Sequence, residues 1–235
     1  MPSRRELVAA YALPDRARPR VRTNLVSSAD GAVTLGGVSA ALGGATDHAI
    51  MRVLRAMADV VLVGAGTVRA EGYGDLGLDD DDVAWRRDHG LGDSPALAVV
   101  SGGLDLDPGA PVFARAVRRP TVVTTDAAAR ERGAVLAPVA DVVACGAASL
   151  DLPLMLAGFA ERGWTQVLCE GGPHLFGALL DAGLVDEACV TVAPRLVGGD
   201  AGRIVQGATE ADRRFRLGGV VTDDEGFVFL RYIAP

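Results

Sequence analysis

The chain of 235 residues, 49% of them hydrophobic, is long enough to bury the core of one large α/β domain. Its net charge of -7 and pI near 5.0 argue against the clustered basic surface of a nucleic-acid-binding protein. No apolar run reaches the roughly 18 to 20 residues of a membrane span, and the first residues lack the apolar core of a signal peptide. We therefore expect a cytoplasmic enzyme that acts on a small molecule, without a nucleic-acid or membrane partner.

Cysteine and histidine residues give no sign of a metal site. Three of each occur, no cysteines form a CxxC pair, and the spacing fits no common metal-ligand pattern. The cysteines lie in apolar runs that are typical of buried, inert thiols. All 23 basic residues are arginine, which excludes lysine chemistry. We therefore predict no metal and no catalytic lysine.

In chain order, short apolar runs alternate with amphipathic patterns. Six runs predict strands, most of them without a solvated face, at residues 21–27, 60–63, 96–101, 121–124, 142–145 and 166–169. Apolar stripes predict three helices, on Ile50, Val53, Leu54 and Met57, on Leu152, Met155, Leu156 and Phe159, and on Leu175, Phe176, Leu179 and Leu180. Thr46 is a candidate N-cap for the first helix, and Gly183 would end the third.

The C-terminal part follows a different pattern. Residues 188–192 and the segment GGVVTDDEGFVFLRYI predict antiparallel strands, the last two joined by a polar turn at 223–226. The predicted fold class is therefore α/β, with a mostly parallel central sheet flanked by helices and a C-terminal antiparallel hairpin. We expect residues 1–20 to form an N-terminal arm and residues 21–235 a single domain. The acidic stretch within residues 74–94 predicts a solvated loop.

Three glycine-bearing turns follow predicted strands, and ligands of open α/β sheets collect beyond the carboxyl ends of the strands. The first turn contains Asp30 and Gly31, which a simple hairpin turn would also explain. The second, GAGT at 64–67, begins like a dinucleotide-binding fingerprint. Arg69 stands where that motif needs its third glycine, so the Rossmann fingerprint is not met.

The third turn, CEGGPHLFGALLDAG, suggests an anion site. A strand ends in Glu170, two glycines allow close approach of the backbone, and Pro173 suits the first position of a helix. Free N–H groups near Gly172, His174 and Leu175 would then suit a pyrophosphate. A tight strand-to-helix turn without a ligand is the alternative. No Ser-His-acid or Cys-His grouping competes as a catalytic centre.

Four separated motifs in register resemble the reductase domain of the riboflavin-biosynthesis deaminase-reductases. They are SADG at 28–31, GAGTV at 64–68, EGGP at 170–173 and LVDEACVTVAPRLVGGDAG at 184–202. The AAYALPD segment is most similar to a stand-alone actinobacterial branch. The resemblance implies a dihydrofolate-reductase-like fold and an NADPH-dependent oxidoreductase of a ribosylaminopyrimidine such as 5-amino-6-(5-phosphoribosylamino)uracil. The zinc signature of the deaminase half has no match in the chain, so we expect a reductase alone, paired as a homodimer.

The resemblance also implies roles for individual residues. The cofactor would be NADPH, with NADH as the alternative because no arginine follows Ser101 closely. Asp30 is the predicted catalytic residue, which would assist proton movement at the acceptor, and Ser39 and Glu170 are predicted substrate-binding residues. The predicted cofactor-binding residues are Gly64, Ala65, Gly66, Thr67, Ser101, Gly171, Gly172, Pro173, His174, Leu175, Phe176, Gly177 and Ala178.

The chain departs from the family at the substrate end. Ala41 stands where a tryptophan is usual, and Ala32 replaces a basic residue after Asp-Gly. The acidic stretch 71–75 replaces one whose arginine grips a ribose phosphate, and Arg69 and Arg195 are the candidates to replace that arginine. Two alternatives therefore stay open: a dihydrofolate reductase-like activity on a pterin or folate, and a non-catalytic nucleotide-binding module.

Overall fold

The computed structural model describes residues 1–13 and 15–235, so Pro14 of the AAYALPD segment lies outside the described residues. The α-helices are α1 (Arg4–Ala10), α2 (Ala45–Met57), α3 (Ala65–Glu71), α4 (Asp80–Asp88), α5 (Pro111–Ala114), α6 (Asp126–Leu136), α7 (Leu152–Glu161) and α8 (Pro173–Asp181). The strands are β1 (Arg20–Ser28), β2 (Val60–Gly64), β3 (Ala96–Val100), β4 (Thr121–Thr124), β5 (Asp141–Ala144), β6 (Gln166–Cys169), β7 (Glu187–Ala193), β8 (Arg216–Thr222) and β9 (Val228–Ile233). No helix in the described ranges is long and apolar enough to cross a membrane.

The strands form a single sheet in the order β5-β4-β3-β2-β6-β1-β7-β9-β8. Neighbours run parallel from β5 to β7. Strand β9 is antiparallel to both β7 and β8. The predicted α/β fold, with a mostly parallel sheet and a C-terminal antiparallel hairpin, is thus confirmed. Because β3, β2 and β6 are adjacent, the turns that follow them meet at one edge of the sheet.

The two faces of the sheet each carry a hydrophobic cluster. Alternate residues of β2 divide between them: Val61 and Val63 belong to the first cluster, and Val60 and Leu62 to the second. Helices α1, α2 and α3 contribute to the first cluster, and α7 and α8 to the second. All four β2 side chains are fully buried, which explains why this strand has no polar alternation in the sequence.

The acidic stretch predicted as a solvated loop contains helix α4 instead. Asp79 is its N-cap, and the Asp79 and Asp82 carboxylates accept each other's backbone N–H in a capping box. Asp82 and Arg86 are buried, and the Arg86 guanidinium donates to the carbonyls of Ala56 and Ala58. The loop prediction was wrong because it counted charges without the partners that the fold gives them.

Two smaller differences concern helix boundaries and the N-terminal segment. Helix α2 begins at Ala45, with Gly44 as an N-cap that supplies no side-chain hydrogen bond, so Thr46 is not the cap. In the segment predicted as an arm, α1 places Leu7 in the first hydrophobic cluster together with Tyr11. The N-terminal residues therefore contribute to the core. The proposed division of the chain at residue 20 stays a prediction.

Candidate active site

A cavity of about 1040 Å³ opens at the carboxyl ends of β3, β2 and β6. The turns after these strands, at 101–103, 64–67 and 170–175, all line it. Residues of β1 and α2 line it as well, among them Asn24, Asp47 and Arg55. Ligand pockets occupy roughly 300–1,000 Å³, so this cavity has room for a large ligand or for two ligands together.

Most residues predicted from the sequence line this cavity: Ser39, Gly64, Ala65, Gly66, Thr67, Ser101, Glu170, Gly171, Gly172, Pro173, His174, Leu175 and Ala178. The structure does not bring Asp30, Phe176 or Gly177 to the cavity wall. Phe176 packs in the second hydrophobic cluster, and a Cβ on Gly177 would lie 2.2 Å from the carbonyl oxygen of Gln206. Since an α-helix has about 3.6 residues per turn, positions 176 and 177 face away from the side that 174, 175 and 178 share.

The N-terminus of α8 has a shape that suits an anion. The N–H groups of His174 and Leu175 lie in its first turn, where no intrahelical carbonyl accepts them. Gly171 has φ of +98°, a conformation that favours glycine, and a Cβ on Gly172 would lie 2.7 Å from the Thr67 hydroxyl oxygen. Glycine therefore allows the turn to pack closely against Thr67, and the turn and the first residues of α8 line the cavity, where free N–H groups suit a pyrophosphate.

Glu170 is the centre of a buried polar cluster that the sequence did not reveal. Its two carboxylate oxygens accept from Arg55 Nε and Nη2, each at 2.7 Å, and the Tyr73 hydroxyl also donates to it. The Arg55 and Glu170 side chains are 9% and 3% exposed. Burial opposes the guanidinium charge, but the charge and hydrogen bonds of Glu170 raise the pKa of Arg55. Burial raises the pKa of the Tyr73 hydroxyl well above its ordinary value, so a charged pair and a neutral phenol lie at the cavity wall.

Asp30 joins two loops. Its carboxylate accepts from the Ser28 hydroxyl and from the backbone N–H groups of Val197 and Gly198, the latter two at 3.0 and 2.7 Å. The Ser28 hydrogen bond and then the two backbone N–H groups lower the pKa of Asp30 to about 2. A carboxylate held in this way is a weak base. The catalytic role predicted for Asp30 stays a prediction, and its contacts favour a positioning role.

Ser39 and the two candidate arginines also have protein partners. The Ser39 N–H and hydroxyl donate to Glu71 Oε1 at 2.9 and 2.8 Å. Arg69 lines the cavity and donates to the Asp105 carbonyl at 2.8 Å. Arg195 donates to a backbone carbonyl at 2.9 Å and does not line the cavity. Across the described residues, no group of three or more His, Cys, Asp and Glu side chains could hold a metal ion.

Asp47 is a cavity carboxylate that sequence reasoning missed. It lies in the first turn of α2, and the Thr191 hydroxyl on β7 donates to its Oδ1 at 2.6 Å. Burial raises the pKa of Asp47, and the Thr191 hydrogen bond and the charge of His48 act in the opposite direction. Thr191 follows Asp47 by 144 residues, so no local pattern in the sequence connects them.

The fold and the cavity together define a class of protein. A parallel sheet with glycine-rich turns and a helix N-terminus around one cavity, at the carboxyl ends of the strands, is typical of α/β enzymes that bind a nucleotide cofactor. The dihydrofolate reductase of Enterococcus faecalis has a similar fold, with a TM-score of 0.50 and 12% identity over 91% of this chain and 95% of that one. The predicted dihydrofolate-reductase-like fold is thus confirmed.

The chain belongs to the RibD C-terminal domain family, whose model matches residues 19–229. It is 33% identical over 192 residues to the 2,5-diamino-6-ribosylamino-4(3H)-pyrimidinone 5′-phosphate reductase of Methanothermobacter thermautotrophicus, over 81% of this chain and 85% of that one. A pyrimidine reductase-like protein of Corynebacterium diphtheriae has a TM-score of 0.87 and 26% identity, over 97% of this chain and 98% of that one. The family predicted from the motifs is confirmed, and its members include reductases.

Proposed function

We propose that this protein is a reductase that transfers hydride from a reduced nicotinamide dinucleotide to a ribosylaminopyrimidine in riboflavin biosynthesis. The observation that carries the proposal is that one cavity joins the open N-terminus of α8 to the cluster around Glu170. The first feature suits a pyrophosphate, and the second offers polar groups to an acceptor. The name of the Methanothermobacter relative describes the same class of acceptor.

The residues of the cavity fit such a cofactor. The turn 64–67 and Ser101 would hold the adenosine side, and Gly172, His174 and Leu175 would hold the pyrophosphate. When bound, the nicotinamide supplies hydride. Because Phe176 and Gly177 are buried, their part in the predicted cofactor site would be to support α8.

Two arginines favour NADPH over NADH. Arg69 donates to the carbonyl of Asp105 at 2.8 Å, and Arg132 donates to the carbonyl of Gly103 at 3.2 Å. Both carbonyls belong to the loop that follows Ser101, so two guanidinium groups lie beside the turn proposed for the ribose 2′-phosphate. Their positions in the sequence gave no indication of this, since Arg132 is 29 residues from Gly103 and Arg69 is 36 residues from Asp105.

The part of the cavity proposed for the acceptor has fewer basic groups for a phosphate than the part proposed for the cofactor. Arg55 is paired with Glu170, and Arg69 is bound at the loop beyond β3. If Arg69 serves the cofactor 2′-phosphate, neither of the two arginines that line the cavity in the described part of the chain is left for a substrate 5′-phosphate. This observation favours a second candidate, reduction of an unphosphorylated acceptor such as dihydrofolate.

The test is steady-state oxidation of NADPH with a panel of acceptors. The panel contains the 2,5-diamino-6-ribosylaminopyrimidinone and the corresponding uracil, each with and without the 5′-phosphate, and dihydrofolate. The proposal expects turnover of at least one ribosylaminopyrimidine, with kcat/KM above that for dihydrofolate. Turnover of dihydrofolate alone would favour the second candidate, and binding of NADPH without any turnover would favour a non-catalytic nucleotide-binding module.

We also propose a homodimer in the cytoplasm. Strand β8 lies at the edge of the sheet, and Leu217 and Val220 on it are 53% and 50% exposed. An exposed apolar edge strand leaves apolar side chains and unpaired backbone groups in water, and a second copy could bury them. Twofold dimers are also the commonest soluble assembly. The location in the cytoplasm rests on the sequence prediction.

A further inference from the structure

The carboxylates of the cavity wall differ in how many further hydrogen bonds they can accept from a ligand. Glu170 is paired with Arg55, and Glu71 accepts two hydrogen bonds from Ser39. Asp47 accepts one hydrogen bond in the described part of the chain, and no ion pair found there includes it. The other cavity carboxylates are exposed to solvent: Asp75 and Asp105. Asp47 is therefore the half-buried carboxylate of the cavity with acceptor capacity to spare.

The position of the Asp47 carboxylate is fixed on two sides. The Thr191 hydroxyl, itself buried, holds Oδ1 at 2.6 Å. A Cβ on Gly43 would lie 2.8 Å from Oδ2, so the glycine leaves room for that oxygen. The carboxylate thus has a defined orientation, with Oδ1 held by Thr191 and Oδ2 beside Gly43, and Asp47 lines the cavity. Within the described residues, no donor to Oδ2 is found.

An oriented carboxylate recognises two parallel N–H groups. The edge of a 2-amino-4-pyrimidinone formed by N3–H and the 2-amino group presents such a pair. The corresponding edge of a uracil presents N3–H beside the C2 carbonyl oxygen, so one carboxylate oxygen would face another acceptor. A buried acceptor left without a donor weakens binding of the uracil.

We propose that Asp47, oriented by Thr191, is a specificity-determining residue that selects a 2-amino-4-pyrimidinone acceptor over the corresponding uracil. The proposal rests on the proposed function, because it assumes a pyrimidine in this cavity. It adds the chemical form of the ring and the residue that distinguishes it.

Two measurements on the purified protein test the proposal. The first is calorimetric binding of 2-amino-6-(methylamino)pyrimidin-4-one and of 6-(methylamino)uracil, which needs neither cofactor nor turnover. The second is kcat/KM for the 2,5-diamino-6-ribosylaminopyrimidinone and the corresponding uracil, in matched phosphorylated and unphosphorylated pairs. Because the members of each pair carry the same ribosyl group, any effect of the phosphate cancels in their ratio.

The wild type is expected to favour the 2-aminopyrimidinone by about 10- to 100-fold, the range of one hydrogen bond to a charged group. The variant Asp47→Asn presents one donor and one acceptor, which match a uracil edge, so its preference should fall to near unity or reverse. Asp126→Asn is the matched control, since Asp126 lies in the first turn of α6 and does not line the cavity. It should keep the wild-type ratio.

A wild type that binds and reduces the uracil equally well or better would overturn the proposal while leaving the proposed function intact. An Asp47→Asn variant that kept the full preference would also overturn it. If Asp47→Asn fails to fold, Thr191→Val carries the test, because it removes the hydroxyl with little change of shape. Its preference should fall several-fold, and an unchanged ratio would contradict the role of Asp47. Absence of turnover with every pyrimidine would instead contradict the proposed function, and the binding ratio would still test Asp47.

Discussion

At the scale of single residues, the carboxylates of Glu170 and Asp30 lie in opposite environments. Glu170 is 3% exposed and pairs with the buried Arg55, whereas Asp30 is exposed and is held by a hydroxyl and two backbone N–H groups. The motifs predicted that both residues matter. They could not predict Arg55 as the partner of Glu170, because Arg55 is a single charged residue between the apolar positions 54 and 57 of α2 and the pairing spans 115 residues.

The first prediction concerns the buried pair. The variant Glu170→Gln keeps the shape but leaves the Arg55 guanidinium buried without a counter-charge, so we expect a loss of about 3–5 kcal/mol in the free energy of unfolding. Urea denaturation measures it. Arg87→Ala is the control, because the Arg87–Asp93 pair has side chains 64% and 60% exposed, and its loss should change the free energy of unfolding far less. Equal effects of the two substitutions would contradict the account of the cluster.

The second prediction concerns Asp30 and pH. Its pKa in the folded protein is about 2, below the ordinary value of 3.8, so its contribution to stability is complete above about pH 5. That contribution is lost as the pH falls from the ordinary value towards about 2. The difference in free energy of unfolding between wild type and Asp30→Asn should therefore be largest near pH 6 and shrink below pH 4.

The same variant distinguishes the two roles of Asp30. A positioning role predicts that turnover falls modestly and together with stability. A loss of 10²- to 10⁴-fold in kcat with unchanged stability near pH 6 would support general acid–base catalysis instead. A stability difference that does not change with pH would contradict the contacts described for the carboxylate.

At the scale of elements, the sequence predicted strands better than it predicted polar helices. Strands β4 and β6 have the predicted bounds, because a run of apolar residues buried on both faces has a sharp beginning and end. Helix α4 was missed because its stabilising partners, the capping box and the carbonyls that Arg86 binds, are invisible in a count of charges. Two of the turns at the cavity, at 64–67 and 170–175, were found because glycine and proline mark them directly, whereas only Ser101 of the turn at 101–103 was predicted, through the family resemblance.

The third prediction concerns the turn that leads into α8. The variant Gly172→Val would place a Cβ 2.7 Å from the Thr67 hydroxyl oxygen and displace Thr67 or the turn, both of which line the proposed cofactor site. NADPH affinity should therefore fall by at least 10-fold with the fold intact. Calorimetry measures the affinity, and circular dichroism checks the fold. In Gly177→Ala, the added Cβ would meet the Gln206 carbonyl instead, so stability should fall more than affinity. Unchanged NADPH affinity in Gly172→Val would contradict the proposed position of the cofactor pyrophosphate at this turn.

At the scale of the whole molecule, the sheet order decides which motifs can act together. The turns after β3, β2 and β6 come from separate thirds of the chain, and the order of the strands makes them neighbours. The sequence predicted this meeting only in outline, from the rule that ligands bind at the carboxyl ends of strands. It did not predict the contact of Asp47 with Thr191, which depends on where α2 crosses the sheet.

The fourth prediction concerns assembly. If the edge strand β8 is covered by a second copy, light scattering at micromolar concentration should report a dimer, and Leu217→Arg together with Val220→Arg should shift it to monomer. Arg130 and Glu131 on α6 are exposed and offer a control. Replacing both should leave the mass of the assembly, as light scattering reports it, the same as in the wild type. A wild type that is monomeric throughout this range would contradict the proposed homodimer.

The most direct test of the proposed reductase is hydride transfer itself. The protein would be incubated with the 2,5-diamino-6-ribosylaminopyrimidinone, with and without the 5′-phosphate, and with NADPH deuterated at the nicotinamide C4 on each face in turn. Our account predicts that the reduced pyrimidine gains one deuterium from one of the two cofactors, as mass spectrometry would show, with one NADPH oxidised per product. NADPH that binds to the protein but transfers deuterium to neither pyrimidine would contradict it.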